Sequence, residues 1–430
     1  MEPHEVHELL TRIGPGTACG DLMRRYWQPA ALSEELPVGG APLPIRLLGE
    51  DLVLFRDDLG KPGLLGIHCP HRGADLSYGR VEDGGLRCIY HGWLFDRTGQ
   101  CLEQPGEPAG STFHERIRQT AYPCVERART IFTYMGPGEP PLFPRYEFLT
   151  LPDENVLATK LLHECNYLQA NEGNIDLSHL TFLHYTARNR GIGGGLNNEG
   201  GRPDLGPQAQ VDGRGAAPGV DSADAELTSY GIRSYKIRRD FGPDKYQLYL
   251  TEFVLPNFTA FPGPLRGDGG FGINWHVPID DTHNWKYTFT FCRDRPIGEE
   301  WGHNAAVRTD CYVPKRNKAN RYLQDRESMM WESYTGMGVD FVIHDLAATE
   351  SQGPIQDRAQ EHLGAMDRPL VLERQVLLKA ILDLQEGVEP VNVARDPSRN
   401  AFRIIANNGV YPESRPWRQV ARDLEAEVRV

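Results

Sequence analysis

The chain has no stretch approaching the roughly 18 uninterrupted apolar residues that a membrane helix needs, so no membrane span is expected. It has no basic excess either: 46 Lys and Arg stand against 59 Asp and Glu, a formal net charge of −13. Nucleic acid and anionic membrane surfaces attract basic patches, so neither is an expected partner. An acidic surface suits a basic protein partner, but the same charge serves solubility alone, and that plainer reading is favoured. The opening residues, MEPHEVHELLTRIGPG, carry acids and histidines in place of a basic segment and a long apolar run; they are not read as a secretory signal. Cysteines are few, eight in 430 residues at irregular spacings, which argues against a disulfide framework. A reducing cytoplasm is the expected setting, and there closely spaced Cys and His read first as metal ligands. No internal repeat occurs, and no dinucleotide fingerprint or plant-type ferredoxin cysteine spacing.

What is present is the composition of a soluble globular protein, 40% hydrophobic and 24% charged, long enough for two or three domain cores. Residues 1–30 read as helical, with Leu9, Leu10 and Ile13 at helical spacing before the Gly14-Pro15-Gly16 break. From about 43 to 145 short apolar strands follow one another (IRLLG, DLVLFRD, GLLGIH, GLRCIYHGWLFD, TIFTYMG), separated by turn signals such as Asp83-Gly84-Gly85, as in a small antiparallel β domain. A helical stretch is expected at about 161–185. Residues 191–219 hold ten glycines and three prolines with almost no large apolar side chains, and read as a long loop or lid. SYGIRSYKIRRD, KYQLYLTEFVL, GFGINWHVPI and WKYTFTFCRD read as consecutive antiparallel strands. The chain then ends in helix, with Asp367 and Pro369 at a start, Leu370, Leu377, Ile381 and Leu384 on one face, and Gly387 after it. The class is α+β.

Two groups of residues carry chemistry. The first is Cys69-Pro70-His71, then sixteen intervening residues, then Cys88-Ile89-Tyr90-His91. Two loops each offer one thiolate and one imidazole. Zinc takes a Cys₂His₂ set, but the one-residue spacing of the first pair is tighter than in zinc fingers, and no recognition helix follows. A Rieske [2Fe–2S] centre needs this mixture, and its imidazoles raise the potential above that of an all-cysteine cluster. His68, beside the motif, reads as a supporting group and not as a fifth ligand.

The second group is Asp176-x-x-His179-x₄-His184. Histidines five apart on a regular helix diverge by roughly 140°, so they meet at one metal only if the helix is irregular or ends between them. Alone, the pattern is weak evidence, because core or surface histidines would show it equally well.

The segment CPHRGADLSYGRVEDGGLRCIYHGWLFD resembles the Rieske motif of ring-hydroxylating oxygenases, and NYLQANEGNIDLSHLTFLH resembles the catalytic iron motif of the branch that includes phthalate dioxygenase. GPGTACGDLMRRYWQPA, YGIRSYKIRR (230–239) and VPIDDTH (277–283) extend the likeness over nearly the whole chain apart from 191–219. The resemblance implies a Rieske-type antiparallel β domain followed by an α+β helix-grip (START/Bet v1-like) catalytic domain. The corresponding division is 1–40 as a helical segment packing on the catalytic domain, 41–150 as the Rieske domain, and 151–430 as the catalytic domain with its Gly-rich loop at 191–219.

The resemblance further implies that Cys69 and Cys88 bind one iron of the cluster, His71 and His91 the other, and that His179 and His184 bind a mononuclear Fe(II). A third, carboxylate ligand completes a facial triad that leaves positions open for O₂. In the segment from Val342 to Ile355, Asp345 sits at that ligand's place, with Asp357 as the fallback. Relatives commonly carry glutamine before this aspartate; His344 stands here and is expected to point away. Asp176 is implied to bond a cluster histidine of a neighbouring subunit and pass the electron from His91 to the Fe(II), in a head-to-tail homotrimer or hexamer.

The activity so implied is that of the oxygenase component of a multicomponent dioxygenase or monooxygenase. It would act on a small, carboxylated aromatic substrate and O₂, with a separate reductase or ferredoxin as electron donor. Arg233 is the candidate clamp for the carboxylate; Arg238 and Arg239 are adjacent, so at least one faces the other side of a strand. O-demethylation of a methoxylated aromatic acid is the alternative within the class. A non-catalytic Rieske electron carrier is the alternative outside it, although about a hundred residues would suffice for that, and a zinc-stabilised binding module is a further one.

Overall fold

The computed structural model describes residues 1–181, 183–185, 221–239, 244–262, 269–298, 309 and 311–428. The expected loop at 191–219 lies outside them.

The N-terminal segment is two short helices and a strand, not one helical run. Helix α1 (Pro3–Thr11) starts on a capping box between Glu2 and Glu5 and stops before the Gly14-Pro15-Gly16 break. Helix α2 (Ala18–Arg24) is capped by the Thr17 side chain, which accepts from the Gly20 N–H. Strand β1 (Trp27–Leu32) is buried throughout and follows at once. The helices dock on what comes later in the chain. Tyr167 donates its hydroxyl hydrogen bond to the Leu10 carbonyl, and Asn166 donates to that of Thr11.

Strands β2 (Leu43–Leu47), β3 (Glu50–Arg56) and β4 (Pro62–Gly66) form an antiparallel meander. Strands β5 (Arg80–Glu82), β6 (Gly85–Arg87), β7 (Leu94–Phe95) and β8 (Cys101–Glu103) make a second small sheet. Strand β9 (Ala121–Tyr122) returns to the edge of β4, and β10 (Cys124–Arg127) with β11 (Thr130–Tyr134) joins β1. Val53, Phe55, Leu65, Leu86, Trp93 and Phe95 pack into a core of their own under the cysteine-bearing loops.

After the one-turn helix α3 (Glu147–Thr150) the second half is built on a large antiparallel sheet. Its strands are β12 (Val156–His163), β13 (Asp221–Leu227), β14 (Gly231–Arg238), β15 (Lys245–Val254), β16 (Phe258–Phe261), β17 (Gly269–Asp280), β18 (His283–Cys292) and β19 (Asn407–Pro412). The order across it is β12-β18-β17-β16-β15-β14-β13, with β19 beside β15. The four expected strands are there, with the short β16 inserted between the second and third. Among the described residues four helices accompany the sheet: α4 (Tyr167–Ile175), α5 (Phe341–Glu350), α6 (Arg368–Gln385) and α7 (Trp417–Glu427). Residues 161–163, expected as helix, belong to β12, because Leu161 and His163 pair with Lys286 and Asn284 of β18.

The two faces of this sheet differ in chemistry, and alternation along each strand decides which residue goes where. One face carries Trp275 and Phe289, which meet Phe132 of β11 at 5.7 and 6.3 Å, so it is closed by the N-terminal half. On the other face lie Asn274, His276, Asn284, Lys286, Thr288 and His163. Helix α4 covers that face: Asn174 meets His276 at 2.6 Å, and Asn171 accepts from Thr259 at 3.2 Å. Among the described residues, no helix is long and apolar enough to cross a membrane.

Candidate metal centres

The two cysteine loops share one design. Gly73 and Gly92, each four residues after a cysteine, adopt φ of +78° and +74° and donate their N–H to the carbonyls of Cys69 and Cys88 at 2.8 and 3.0 Å. Glycine takes that left-handed conformation without strain, and each chain turns tightly around its sulfur. The thiols are buried and free of disulfide. Burial pushes the Cys69 thiol up to about 11, so its thiolate needs a cation beside it. His91 is exposed and His71 half-buried at the loop tips, their rings 4.4 Å apart, with His71 stacked on Trp93 at 4.4 Å. His68 bonds the Gly73 carbonyl through Nδ1 at 3.1 Å, a loop-holding contact. Two adjacent buried sulfurs and two outward imidazoles fit a cluster carrying unlike ligands on its two irons.

The second group assembles where α4 ends. Its N-cap is Asn166, which accepts from the Leu168 N–H, and Asp176 is already extended (φ −68°, ψ 107°). The helix therefore stops before both histidines, which removes the 140° obstacle. His179 opens a single 3₁₀ turn, and the Leu183 N–H bonds the His179 carbonyl, bringing His184 back over it. Asp345, from the middle of α5, completes the group. Nε2 of His179 lies 3.1 Å from Nε2 of His184, and Asp345 Oδ1 lies 3.0 Å from His184 Nε2 and 3.7 Å from His179 Nε2. Among the described residues this is the set of three metal-ligating side chains whose donor atoms converge, all within 4.8 Å of one another. Ligands roughly 2.1 Å from one ion at right angles stand about 3.0 Å apart, so the spacing fits a facial two-histidine, one-carboxylate set. Burial opposes ionisation of Asp345, but His184 and His179 outweigh it and hold the carboxyl well below its usual range.

The outer nitrogens are also held. His179 Nδ1 faces Asp176 Oδ2 at 3.8 Å, while Asp176 Oδ1 accepts from the Ser178 N–H at 2.7 Å. His344 does not point away. Its Nε2 lies 3.0 Å from the Gly338 carbonyl and its Nδ1 a long 3.5 Å from Nδ1 of His184. A carbonyl only accepts, so Nε2 of His344 carries the proton. Burial lowers His344 to about 4 and keeps it neutral, so its Nδ1 accepts from His184 and leaves the His184 Nε2 lone pair facing Asp345.

Two expectations fall outside this group. Asp357 caps a short turn through the Ala359 N–H. Arg233 is on the wrong face: it alternates with Ser234 and Lys236, and Lys236 reaches the Leu177 carbonyl on the α4 side. Its guanidinium is instead bound by Glu252 at 2.5 Å and Glu425 at 3.1 Å, both on the far side of the sheet. A guanidinium so occupied is a structural ion pair and no clamp. Arg239 is exposed and paired with Glu413, whereas Arg238 is buried. His163, His276 and Lys286 belong to no motif, and their only sequence signal is the alternation of polar and apolar residues in Asn274-Trp275-His276-Val277 and Trp285-Lys286-Tyr287-Thr288, which marks one face as polar.

Residues 26–123 match the Rieske [2Fe-2S] domain, and residues 133–429 match the family described as LigXa C-terminal domain like. The chain is 35% identical to the phthalate 4,5-dioxygenase oxygenase subunit of Pseudomonas putida, over 94% of this chain and 93% of that one. It is 31% identical to the 5,5'-dehydrodivanillate O-demethylase oxygenase subunit of Sphingobium sp., over 92% and 84%. The fold is similar to the terminal oxygenase of carbazole 1,9a-dioxygenase from Novosphingobium sp. KA1, with a TM-score of 0.56 at 19% identity, covering 88% of this chain and 95% of that one.

Proposed function

The chain belongs to the Rieske non-haem iron oxygenases, as an oxygenase subunit, and from that premise we propose how its own residues divide the work. Cys69 and Cys88 hold one iron of the [2Fe–2S] cluster, His71 and His91 the other, and His179, His184 and Asp345 hold the mononuclear Fe(II). When bound, the cluster passes single electrons and the Fe(II) activates O₂ for insertion into substrate. The observation that carries this assignment is the convergence of three donor atoms at the end of α4, in the same chain as two facing Cys/His loops.

The protein's part is positioning. Asp176 and His344 each hold the outer nitrogen of one histidine, so that both inner nitrogens face Asp345. Helix α4 over the polar sheet face gives a roofed site in which a substrate is held and water excluded. Asp176 also keeps a partly exposed side chain, 27% accessible, which supports contact with a cluster histidine of a neighbouring subunit in a head-to-tail trimer or hexamer. Sedimentation at a mass other than a multiple of three chains would remove that contact. A reductase or ferredoxin supplies the electrons, since the sequence carries no dinucleotide fingerprint. The division at about 40 and 150 and a cytoplasmic location complete the proposal. The eight free cysteines support the location, and fractionation of the source cells tests it.

The proposed substrate is a carboxylated aromatic, as for the phthalate 4,5-dioxygenase relative. Oxygen uptake by the reduced protein with a partner reductase, over carboxylated, methoxylated and unsubstituted aromatics, tests it. Uptake is expected with the acids; release of formaldehyde would assign O-demethylation, and uptake confined to neutral rings would contradict the substrate class.

A further inference from the structure

The sheet face under α4 holds a lysine that the triad does not use. Lys286 lies in the middle of β18, 4% exposed, directly opposite His276 of β17 on one side and Leu161 of β12 on the other. Its ammonium makes no hydrogen bond or ion pair with any described residue. Such a group has three donors to satisfy and is costly to bury without a counter-charge.

The surrounding groups are already committed. His276 is held by Asn174 and Asn284, and Thr288 donates to Asn274. The exception is His163, one register step from Lys286 and 5.3 Å ring to ring from His276. It is 2% exposed, and neither ring nitrogen has a hydrogen-bond partner among the described residues. Buried polar atoms in folded proteins are nearly always paired. The open His163 ring beside a Lys286 ammonium with no partner among the described residues, on the face near Asp345, marks a place for a polar group from outside the chain. The triad is near enough to be felt: Asp345 raises the Lys286 amine, against the stronger lowering by burial.

We propose that Lys286 is the specificity-determining anchor for the carboxylate of the substrate, with His163 as the second polar contact. The inference rests on the reading of the substrate as an aromatic acid. An anion supplies the missing counter-charge and accepts from the ammonium, while the aromatic ring extends from it toward His179, His184 and Asp345. It also gives the recognition that Arg233, committed to Glu252 on the far face, does not.

A lysine that merely supported the charge of Asp345 would alter iron content and affect every substrate alike. Equilibrium binding to the iron-loaded, full-length protein under anaerobic conditions separates the two roles. The probes are benzoate and phthalate with their neutral methyl esters. Wild-type protein is expected to bind at least one acid tenfold or more tightly than its ester. Lys286→Gln should abolish that preference by weakening acid binding, with ester binding and iron content unchanged; in turnover KM for the acid rises and kcat holds. Lys286→Arg should restore most of it. Lys286→Met, which removes a buried charge without a new polar group, gives the same reading if the glutamine variant does not fold. A variant that keeps the wild-type preference overturns the role of Lys286 alone. Wild-type protein with no preference for any acid overturns both the anchor and the aromatic-acid reading.

Discussion

Each inner nitrogen of the triad depends on a residue that never faces the metal position. His344 accepts from His184 Nδ1 only because the Gly338 carbonyl takes the proton on its other nitrogen. Removing Asp345 or His344 should therefore give graded effects. Asp345→Ala is expected to lose the mononuclear iron and turnover while the cluster spectrum persists; normal turnover would move the third ligand elsewhere. His344→Ala should weaken iron binding by about 10–100-fold, with His344→Gln closer to wild type because its amide oxygen still accepts. Equal iron affinity in all three proteins would contradict the tautomer argument. The paired Cys/His loops stood out by residue type and spacing, whereas the histidines five apart carried weight only through the family resemblance. The direction of a side chain was not legible. His344 and Arg233 were both misplaced, since which way a residue points is set by the packing of α5 and by strand parity against neighbours far along the chain.

Helix α4 carries the triad's first histidine on its C-terminal extension, and it is pinned by charge. Glu172 accepts from Arg358 at 2.8 Å and from Arg374 of α6 at 2.5 Å, all of them largely buried. Burial pushes the Glu172 carboxyl up, but the Arg358 and Arg374 guanidiniums outweigh it and hold it below its ordinary 4.5. A carboxyl with a depressed folded value contributes stability that is present above its unfolded value and lost as pH falls through the folded one. The melting temperature should accordingly fall below pH 4.5. Glu172→Gln, which takes the carboxylate from buried Arg358 while Arg374 keeps Glu361, should cost about 3 kcal/mol at neutral pH and flatten that acid limb. Melting curves that stay parallel in the two proteins would show that the pair is not the clamp.

Helix α6, the break after α1 and the long strands were readable from glycine and proline signals and alternation, whereas the division of residues 1–30 into α1, α2 and β1 was not. Strand β19 was not, because Asn-Asn-Gly reads as a turn and becomes a strand only against Lys245–Leu250 of β15. The last three residues of β12 looked helical for the same reason, their partner lying more than a hundred residues away.

At the scale of the molecule, β11 of the N-terminal half closes the Trp275 and Phe289 face of the large sheet, α4 covers the polar face, and α7 packs on the Arg233 side through Trp417 and Tyr235. The two halves are thus joined through Phe132, Trp275 and Phe289, with the polar face left to α4. The order of a β unit followed by an α+β unit was legible, since strand lengths and turn signals change near residue 150. The polar lining was spread thinly over β12, β17 and β18 and became one surface only through their register. The most direct test of two metal centres in one chain is the electron paramagnetic resonance spectrum of the anaerobically reduced protein with iron and sulfide analysis. A Rieske-type signal with about three irons and two sulfides per chain is the expected result. A zinc-containing protein with no such signal would contradict it.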